Sequence, residues 1–203
     1  MTVRKGEPWG ESATMPRVTP VFDTDAQASR AVQVARSRGE ALEIGLTGGD
    51  LWRTLGAPVG GEERLRRGKP TRVRVDLGWV DLGQYGGHCF IAHCIARSRA
   101  WSRFGMVMNA EWLGDWDVAP RSHPGDGRFD IFEGSLGLQA RYSVRARLPT
   151  GSHLPHPEIH ARKASETTIE LPRALRLRLD GALFPRVSAF SVWLESGSLT
   201  VYV

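Results

Sequence analysis

Apolar positions near the start of the 203-residue chain recur with a helical period. They predict a helix over residues 24–38, capped by Asp23 or Thr24 and ended by Gly39. The apolar positions at i, i+3, i+4 and i+7 are Ala28, Ala31, Val32 and Ala35. Spacing, cap and stop therefore agree on one helix.

Short apolar runs flank this helix and predict strands over residues 18–22 and 41–46. A second, short helix is predicted over residues 51–55, ended by Gly56. Asp50 directly precedes it and is predicted to cap it by accepting backbone N–H bonds. These elements make one small βα-type unit.

After a polar connector at residues 60–70, the pattern changes to strand-like alternation. Val73 and Val75 alternate with Arg72 and Arg74, which is the two-residue period of a half-buried strand. Strands are predicted over residues 71–76, 89–95, 106–110, 129–132, 159–163, 175–179, 190–194 and 199–203. Closely spaced short strands joined by turns are typical of an antiparallel sandwich or barrel.

The predicted fold class is α+β, with a small, truncated α/β piece followed by a larger antiparallel β-sandwich. Residues 16–67 are assigned to the first part and residues 68–203 to the second. One helix, over residues 138–148, interrupts the strands of the second part. Residues 1–15 are polar and aperiodic, so they are predicted to be disordered.

The chain is basic, with a net charge of +5, and its cations are almost all arginine: 24 arginines against 3 lysines. Guanidinium groups pair bidentately with phosphate oxygens, which favours phosphate or an anionic membrane surface as a partner. No zinc finger, KH or RRM signature supports nucleic acid as a partner. Without a spanning apolar run or a secretory signal, we expect a cytoplasmic protein, peripheral at the inner membrane face.

Four residues on the predicted strand 89–95 and at its start resemble a zinc quartet. They are His88, Cys89, His93 and Cys94. On one strand His88 and Cys94 point to one face, and Cys89 and His93 to the other. The pattern therefore favours ordinary strand residues, and a disulfide between the two cysteines is not expected.

Six segments carry a further pattern, through their order and spacing. They are LTGGDLWRTLGAP (46–58), VDLGWV (75–80), MNAEWLGDWDVAP (108–120), SHPGDGRFDIF (122–132), RLPTGSHLPHPEI (147–159) and LDGAL (179–183). Together they resemble the bacterial diacylglycerol kinase and sphingosine kinase family over roughly residues 20–203. The resemblance implies an α/β nucleotide domain, a β-sandwich that holds lipid, and ATP in the cleft between them.

The chain departs from this family's pattern at two places. The position of the family's first phosphate loop, GGDGT, reads Val-Phe-Asp-Thr-Asp over residues 21–25, and only Asp23 matches. In the family, glycines at this loop let backbone N–H groups close on phosphate. Because residues 21–25 contain no glycine, at most weak affinity for ATP is expected. The family's catalytic glutamate is replaced by Ala182, which cannot accept a proton, and Asp180 is the one nearby carboxylate that could serve as a base.

The resemblance also assigns nucleotide and metal sites. The nucleotide residues would be Thr47, Gly48, Gly49, Asp50 and Asp23. A structural Mg²⁺ would be held by the carboxylate of Asp126 with backbone oxygens of Arg128 and His123. The alternative, a polar turn that needs no metal, stays open.

Lipid contacts are predicted at four residues, Asn109, Trp112, Trp116 and His153. The predicted helix over residues 138–148 carries Arg141, Arg145 and Arg147 beside apolar residues, which suits an anionic lipid surface but is also typical of a solvated helix face.

Three functions remain open from the sequence. The favoured one is a degenerate diacylglycerol kinase-like protein that binds lipid and weakly binds nucleotide, acting without catalysis or with a companion chain or second copy. The second is an active Mg²⁺-dependent lipid kinase with Asp180 as its base. The third is a phospholipid-binding module without nucleotide, against which the Thr-Gly-Gly-Asp loop argues.

Overall fold

The computed structural model describes residues 9–203. Its helices are α1 (Asp25–Ser37), α2 (Asp50–Thr54), α3 (Gly61–Arg67) and α4 (Leu138–Arg147). Its strands are β1 (Gly10–Ser12), β2 (Val21–Phe22), β3 (Glu43–Leu46), β4 (Thr71–Asp81), β5 (Gly87–Phe90), β6 (His93–Arg97), β7 (Arg103–Met108), β8 (Trp112–Leu113), β9 (Trp116–Asp117), β10 (Phe129–Ser135), β11 (Ile159–Ala164), β12 (Glu166–Leu179) and β13 (Ala182–Tyr202). None of these helices is long and apolar enough to cross a bilayer.

One mostly antiparallel sheet of eleven strands organises residues 9–203, in the order β1-β4-β13-β12-β6-β7-β10-β11, with β5 beside β4. The long strand β13 links its two parts. Its first half pairs with β12, and its last residues lie between β4 and the parallel strand β3, which pairs in turn with β2. The mixed α+β prediction is therefore confirmed.

The small α/β unit forms as its pattern predicts. Thr24 caps α1, its hydroxyl accepting from the N–H of Gln27 at 3.4 Å, and the chain leaves the helix through Gly39 with φ of 73°. The apolar face of α1 packs with Ile44 and Leu46 of β3 in one buried cluster. The sequence predicts this unit correctly because its helical period and its capping residues lie within or next to the helix itself.

A second buried cluster draws side chains from β4, β5, β6, β7, β10, β12 and β13. Strands far apart in the sheet meet in it, so the sheet folds over its own apolar face, as the predicted sandwich requires. A third cluster lies under α4 and joins Ile95, Met106 and Phe132 of the sheet to Val144 of the helix.

The structure differs from the sequence-based prediction in several places. Residues 190–194 and 199–203, predicted as two strands, belong to the single strand β13. Residues 1–8 of the segment predicted to be disordered lie outside the described residues, but Gly10–Ser12 pairs with β4 and Met15 is buried against Leu65 and Tyr202. The connector at residues 60–70 contains α3, whose buried Leu65 anchors it. The strand predicted over residues 89–95 is two strands, because the chain bends at Ile91 and Ala92.

A tight hairpin joins β12 to β13. Leu179 faces Ala182, and the two loop residues Asp180 and Gly181 have φ of 49° and 85°. Two residues with positive φ form the turn that matches the twist of paired strands, and Asp-Gly is a preferred sequence for it. The hairpin places the carboxylate of Asp180 beside the bend between β5 and β6.

Candidate functional site

The N-terminus of α2 is closed by a carboxylate from another element. The side chain of Asp25, at the start of α1, accepts hydrogen bonds from the backbone N–H groups of Asp50 and, at 3.3 Å, Leu51. Asp25 is 4% exposed. Because Asp25 provides this cap, the prediction that Asp50 caps the helix is wrong; Asp50 lies within the first turn and its side chain points elsewhere.

The loops that follow β2 and β3 touch each other through glycine. A Cβ on Gly48 would lie 2.4 Å from the carbonyl oxygen of Asp23, and one on Gly49 would lie 2.5 Å from the carboxylate of Asp25. Thr47 bonds back to the carbonyl of Phe22 through its N–H at 2.9 Å. The predicted nucleotide residues are thus brought together, and these glycines hold the loops against each other.

Burial and charge shift the pKa of Asp25 far from its ordinary value. Burial, then the negative charge of Asp180, raises the pKa of Asp25 from 3.8 to about 7. The backbone hydrogen bond from Asp50 opposes the rise but does not cancel it. The folded protein therefore favours the protonated form of Asp25 far more than water does.

His93 connects this loop to the sheet. Its Nε2 lies 2.9 Å from Oδ2 of Asp50, and its side chain is 2% exposed. Burial alone would lower the pKa of His93, but the hydrogen bond to Asp50 and the charges of Asp180, Asp50 and Asp25 together raise it above 6.5. His93 and Asp50 thus form an ion pair when the imidazole is protonated.

Both carboxylate oxygens of Asp180 accept hydrogen bonds from backbone N–H groups. Oδ2 accepts from the N–H of Ile91, and Oδ1 from those of Ala92 and His93, each at 2.9 Å. Asp180 is 6% exposed, and burial raises its pKa. These three bonds hold the bend between β5 and β6, which is why residues 89–95 do not continue as one strand. Ala182, which the sequence resemblance assigns to the family's base position, lies two residues after Asp180 and faces Leu179 in the same hairpin.

The β8–β9 hairpin is tied to α2 by charged contacts. The other oxygen of Asp50 accepts from the N–H of Gly114 at 2.8 Å. The guanidinium of Arg53 donates to the carbonyl of Gly114 at 2.6 Å and lies 3.9 Å over the ring of Trp112. Trp112, predicted to contact lipid, is therefore stacked under an arginine of α2.

Asn109, also predicted to contact lipid, is fully buried inside the sheet. Its Nδ2 donates to the carbonyl oxygens of Asp76 at 2.9 Å and Ile91 at 2.8 Å. Asp76 in turn accepts from the N–H groups of Gly127 and Gly197 at 2.7 Å each. Asn109 thus joins β4 to the bend that Asp180 holds, and this contact accounts for its burial.

Trp116 and His153 lie together in the wall of an apolar cavity of about 280 Å³ under α4. The apolar residues of its wall include Trp101, Phe104, Met106, Val118, Phe132 and Val144. Burial lowers the pKa of His153 below 6.5, despite a hydrogen bond with the backbone at Val118. The imidazole of His153 thus lies in a wall that is mostly aromatic and aliphatic.

The residues predicted to hold Mg²⁺ form a turn that faces a cation on β11. The ammonium of Lys163 lies 3.2 Å from Oδ2 of Asp126 and 3.2 Å from Oδ2 of Asp130. The other oxygen of Asp126 accepts from the N–H of Arg128 at 3.0 Å, and the carbonyl of His123 accepts from the N–H of Asp126 at 3.2 Å. Because Lys163 neutralises the carboxylates, the residues present do not fit a magnesium ion.

Replacing Lys163 with methionine tests this arrangement. The wild-type protein is expected to melt at the same temperature in magnesium and in EDTA. Lys163→Met is expected to lose about 1 kcal/mol of unfolding free energy, since the pair is partly exposed and two carboxylates are left facing each other. Magnesium should restore part of that loss, as measured by thermal denaturation.

Lys69→Met is the matched control, because Lys69 is exposed and lies in no ion pair among the residues of the described chain. It should melt like the wild type with and without magnesium. A wild-type melting temperature that rises with magnesium and falls in EDTA would show that a metal, not Lys163, neutralises the turn.

The zinc quartet considered from the sequence is not assembled. His88 bonds to the carbonyl of Tyr85 at 3.0 Å, whereas His93 pairs with Asp50. Cys89 and Cys94 are buried free thiols. Within residues 9–203, no three histidine, cysteine or acidic side chains are grouped as metal ligands.

Sequence reasoning missed the contacts of three residues in the candidate sites: Asp25, His93 and Lys163. Each acts through a partner 25 to 43 positions away in sequence. Asp25 stood out only as the last residue of the segment that replaces the family's first phosphate loop. His93 was considered only as part of the zinc quartet, and no local signal marks Lys163.

The comparison with known proteins adds the fold. No family model matches the sequence, and no curated protein matches it significantly. A solved diacylglycerol kinase structure from Bacillus anthracis str. Sterne aligns with a TM-score of 0.67 at 18% identity, covering 91% of this chain and 75% of that one. Two further diacylglycerol kinase-like structures from that organism align with TM-scores of 0.69 and 0.68 at 17% identity, covering 90% and 91% of this chain and 76% and 77% of theirs.

These alignments span both parts of the chain and agree with the resemblance carried by the six sequence segments. At this level of identity the likeness concerns the backbone rather than the chemistry of the site. This chain has the fold of the bacterial diacylglycerol kinases.

Proposed function

We propose that this protein binds a lipid chain in the cavity under α4 and does not phosphorylate it. The observation that carries the proposal is the cavity itself. It is lined by aromatic and aliphatic residues, in a fold shared with diacylglycerol kinases. Its volume of about 280 Å³ is near the lower limit, roughly 300 Å³, of small-molecule pockets, so it suits one acyl chain rather than two.

The helix that covers the cavity has the character of a membrane-facing lid. Leu138 and Tyr142, one turn apart on α4, are 78% and 85% exposed. Arg141 and Arg145, also one turn apart, border the cavity. Large apolar side chains beside arginines suit a surface that meets anionic lipid headgroups. The lipid would enter from a membrane past this helix.

The contacts around α2 support the second half of the proposal. Backbone N–H groups at a helix start are natural ligands for phosphate, but at α2 the carboxylate of Asp25 already accepts them. A partly charged carboxylate in that place opposes a phosphate group. The base position holds Ala182, and the oxygens of Asp180 are engaged by three backbone donors. A general base needs a free oxygen within reach of the substrate hydroxyl.

Filling the cavity tests lipid binding. Val144→Trp adds a large ring from α4, and binding of a fluorescent fatty acid is expected to weaken about tenfold or more because the ring takes the space of the chain. Ala100→Trp, at the cavity border, should weaken binding as well. Ala100 is exposed, so this change is expected to disturb folding less than Val144→Trp does. Affinity is measured by fluorescence titration, and folding by circular dichroism.

Val59→Trp is the control, because Val59 is 88% exposed and lies away from the cavity. It should bind the fatty acid like the wild type. Equal affinity in the wild type, Val144→Trp and Ala100→Trp would contradict binding in this cavity.

A further inference from the structure

A second concavity, of about 670 Å³, lies on the sheet next to the apolar cavity and is lined mainly by arginine. Its arginines are Arg97, Arg99, Arg173, Arg176, Arg178 and Arg186. They come from β6 and the turn after it, from β12 and from β13. Among residues 9–203, no acidic residue lines this arginine cleft.

The charges of the arginine cleft are not compensated within residues 9–203. None of the six guanidinium groups is in an ion pair in this part of the chain. Two of them bond to backbone carbonyls: Arg97 to those of Ser98 and Arg99, each at 3.2 Å, and Arg178 to that of Gly181 at 2.8 Å. The other four arginines line the concavity as well.

Strand pairing brings these like charges close together. Arg97 of β6 is directly opposite Arg176 of β12, and like charges in that position destabilise a sheet. Burial, then the nearby charge of Arg178, lowers the pKa of Arg97. The fold thus carries an electrostatic cost that an anion in the cleft would offset.

We propose that the arginine cleft is a binding site for a small anion that carries two or more phosphate groups. Guanidinium groups bind phosphate oxygens in bidentate fashion, and six of them exceed what one phosphate can engage. The groups surround a concavity on three strands rather than forming a stripe along a helix or a flat face. This shape favours a compact polyanion over a nucleic acid backbone, which needs an extended track.

The position of the cleft is compatible with a free polyphosphate and with the phosphorylated headgroup of a lipid. The guanidinium of Arg97 lies 4.3 Å over the ring of Trp101, and that ring lines the apolar cavity. Arg97 also shares one face of β6 with Ile95, because alternate residues of a strand point the same way. Ile95 belongs to the buried cluster under α4. A headgroup in the cleft would therefore lie beside a chain in the cavity, although the cleft does not require one.

The test uses inorganic tripolyphosphate with the full chain, by calorimetry at fixed ionic strength near 0.15 M, so that general screening is constant. The wild type is expected to bind, and Arg176→Gln/Arg186→Gln to bind about tenfold or more weakly, because two charge-assisted contacts are lost. Arg30→Gln/Arg38→Gln is the matched control. It removes the same charge from exposed positions on and just after α1 and should bind like the wild type.

A parallel measurement uses vesicles of phosphatidylcholine with and without a phosphoinositide bisphosphate. Vesicle binding that requires the phosphoinositide and is lost in Arg176→Gln/Arg186→Gln supports a lipid headgroup as the ligand of the cleft. Binding of tripolyphosphate without binding of these vesicles supports a free polyphosphate as the ligand. The Val144→Trp variant should keep tripolyphosphate binding, which separates this site from the lipid cavity.

Three results would overturn the proposal. One is no binding of either probe by the folded wild type. Another is an equal loss of binding affinity in Arg30→Gln/Arg38→Gln, which would show that binding depends only on the net charge of the protein. The third is tighter binding of a single-stranded oligonucleotide than of both phosphate probes at the same salt.

Discussion

Asp180→Ala is expected to lower the free energy of unfolding by about 3 kcal/mol or more, the largest stability effect of any single change considered for this chain. The carboxylate accepts three buried backbone N–H groups at 2.9 Å. Each donor left without an acceptor costs about 1–3 kcal/mol. Chemical denaturation gives the value directly, and hydrogen exchange at Ile91, Ala92 and His93 should become faster in the same variant.

Asp81→Ala is the control for Asp180→Ala. Asp81 is exposed and accepts one N–H, that of Gly83 at 2.9 Å, so its loss should cost well under half as much. If Asp180 were instead a catalytic base, Asp180→Asn would abolish lipid phosphorylation with little loss of stability. That combination would install the active-kinase alternative.

The second large effect is on pH dependence. Since the pKa of Asp25 is about 7 in the folded protein and 3.8 ordinarily, the folded state favours its protonated form. The stability that this group contributes is therefore fully present below pH 3.8 and is lost as the pH rises through 7. This rise of about three units in the pKa of Asp25 corresponds to at most about 4 kcal/mol of unfolding free energy. His93, whose folded pKa is also raised, acts in the same direction near neutral pH.

Asp25→Asn is expected to flatten this part of the stability curve between pH 4 and pH 7, because its side chain does not titrate. Asp23→Asn provides the control, since Asp23 is an exposed carboxylate two residues away. Unfolding free energies at several pH values check both. The account of Asp25 fails if its variant retains the wild-type slope or if Asp23→Asn loses an equal share of it.

Features that depend on neighbouring residues were predictable from the sequence. The helical period with Thr24 and Gly39 marks α1 almost to the residue. The alternation of Val73 and Val75 with arginines marks β4, although pairing with β13 extends it to Asp81. The order of six motifs led to the correct fold, because order and spacing survive where individual residues change.

Features that depend on distant partners were not predictable. The strand expected over residues 89–95 breaks because Asp180, almost 90 positions later, captures the N–H groups of Ile91, Ala92 and His93. Asp-Gly between β12 and β13 is a strong local signal for a hairpin, but it gives no indication of what the aspartate side chain contacts.

The candidate site divides in the same way. Its residue types were visible, and Thr47, Gly48, Gly49, Asp50 and Asp23 do lie together. Which carboxylate caps α2 is decided by the packing of α1 against β3, which places Asp25 over the helix start. Likewise, only the pairing of β10 with β11 brings Lys163 opposite Asp130 and so beside Asp126.

The same contacts predict that restoring a glutamate at residue 182 does not by itself give kinase activity. Ala182→Glu restores the family's base position, yet we expect the isolated variant to remain inactive, because Asp25 still occupies the N–H groups of α2. Measurable phosphorylation by this single variant would show that the nucleotide half is already competent.

The most direct test of binding without phosphorylation follows both events in one preparation. Purified protein is mixed with vesicles containing diacylglycerol, magnesium and ATP labelled on its γ-phosphate; bound lipid is identified by extraction and mass spectrometry, and labelled phosphatidic acid is counted. We expect lipid to co-purify with the protein and no phosphatidic acid above the level of a protein-free blank. Labelled phosphatidic acid formed over many turnovers by the wild-type chain would contradict the account.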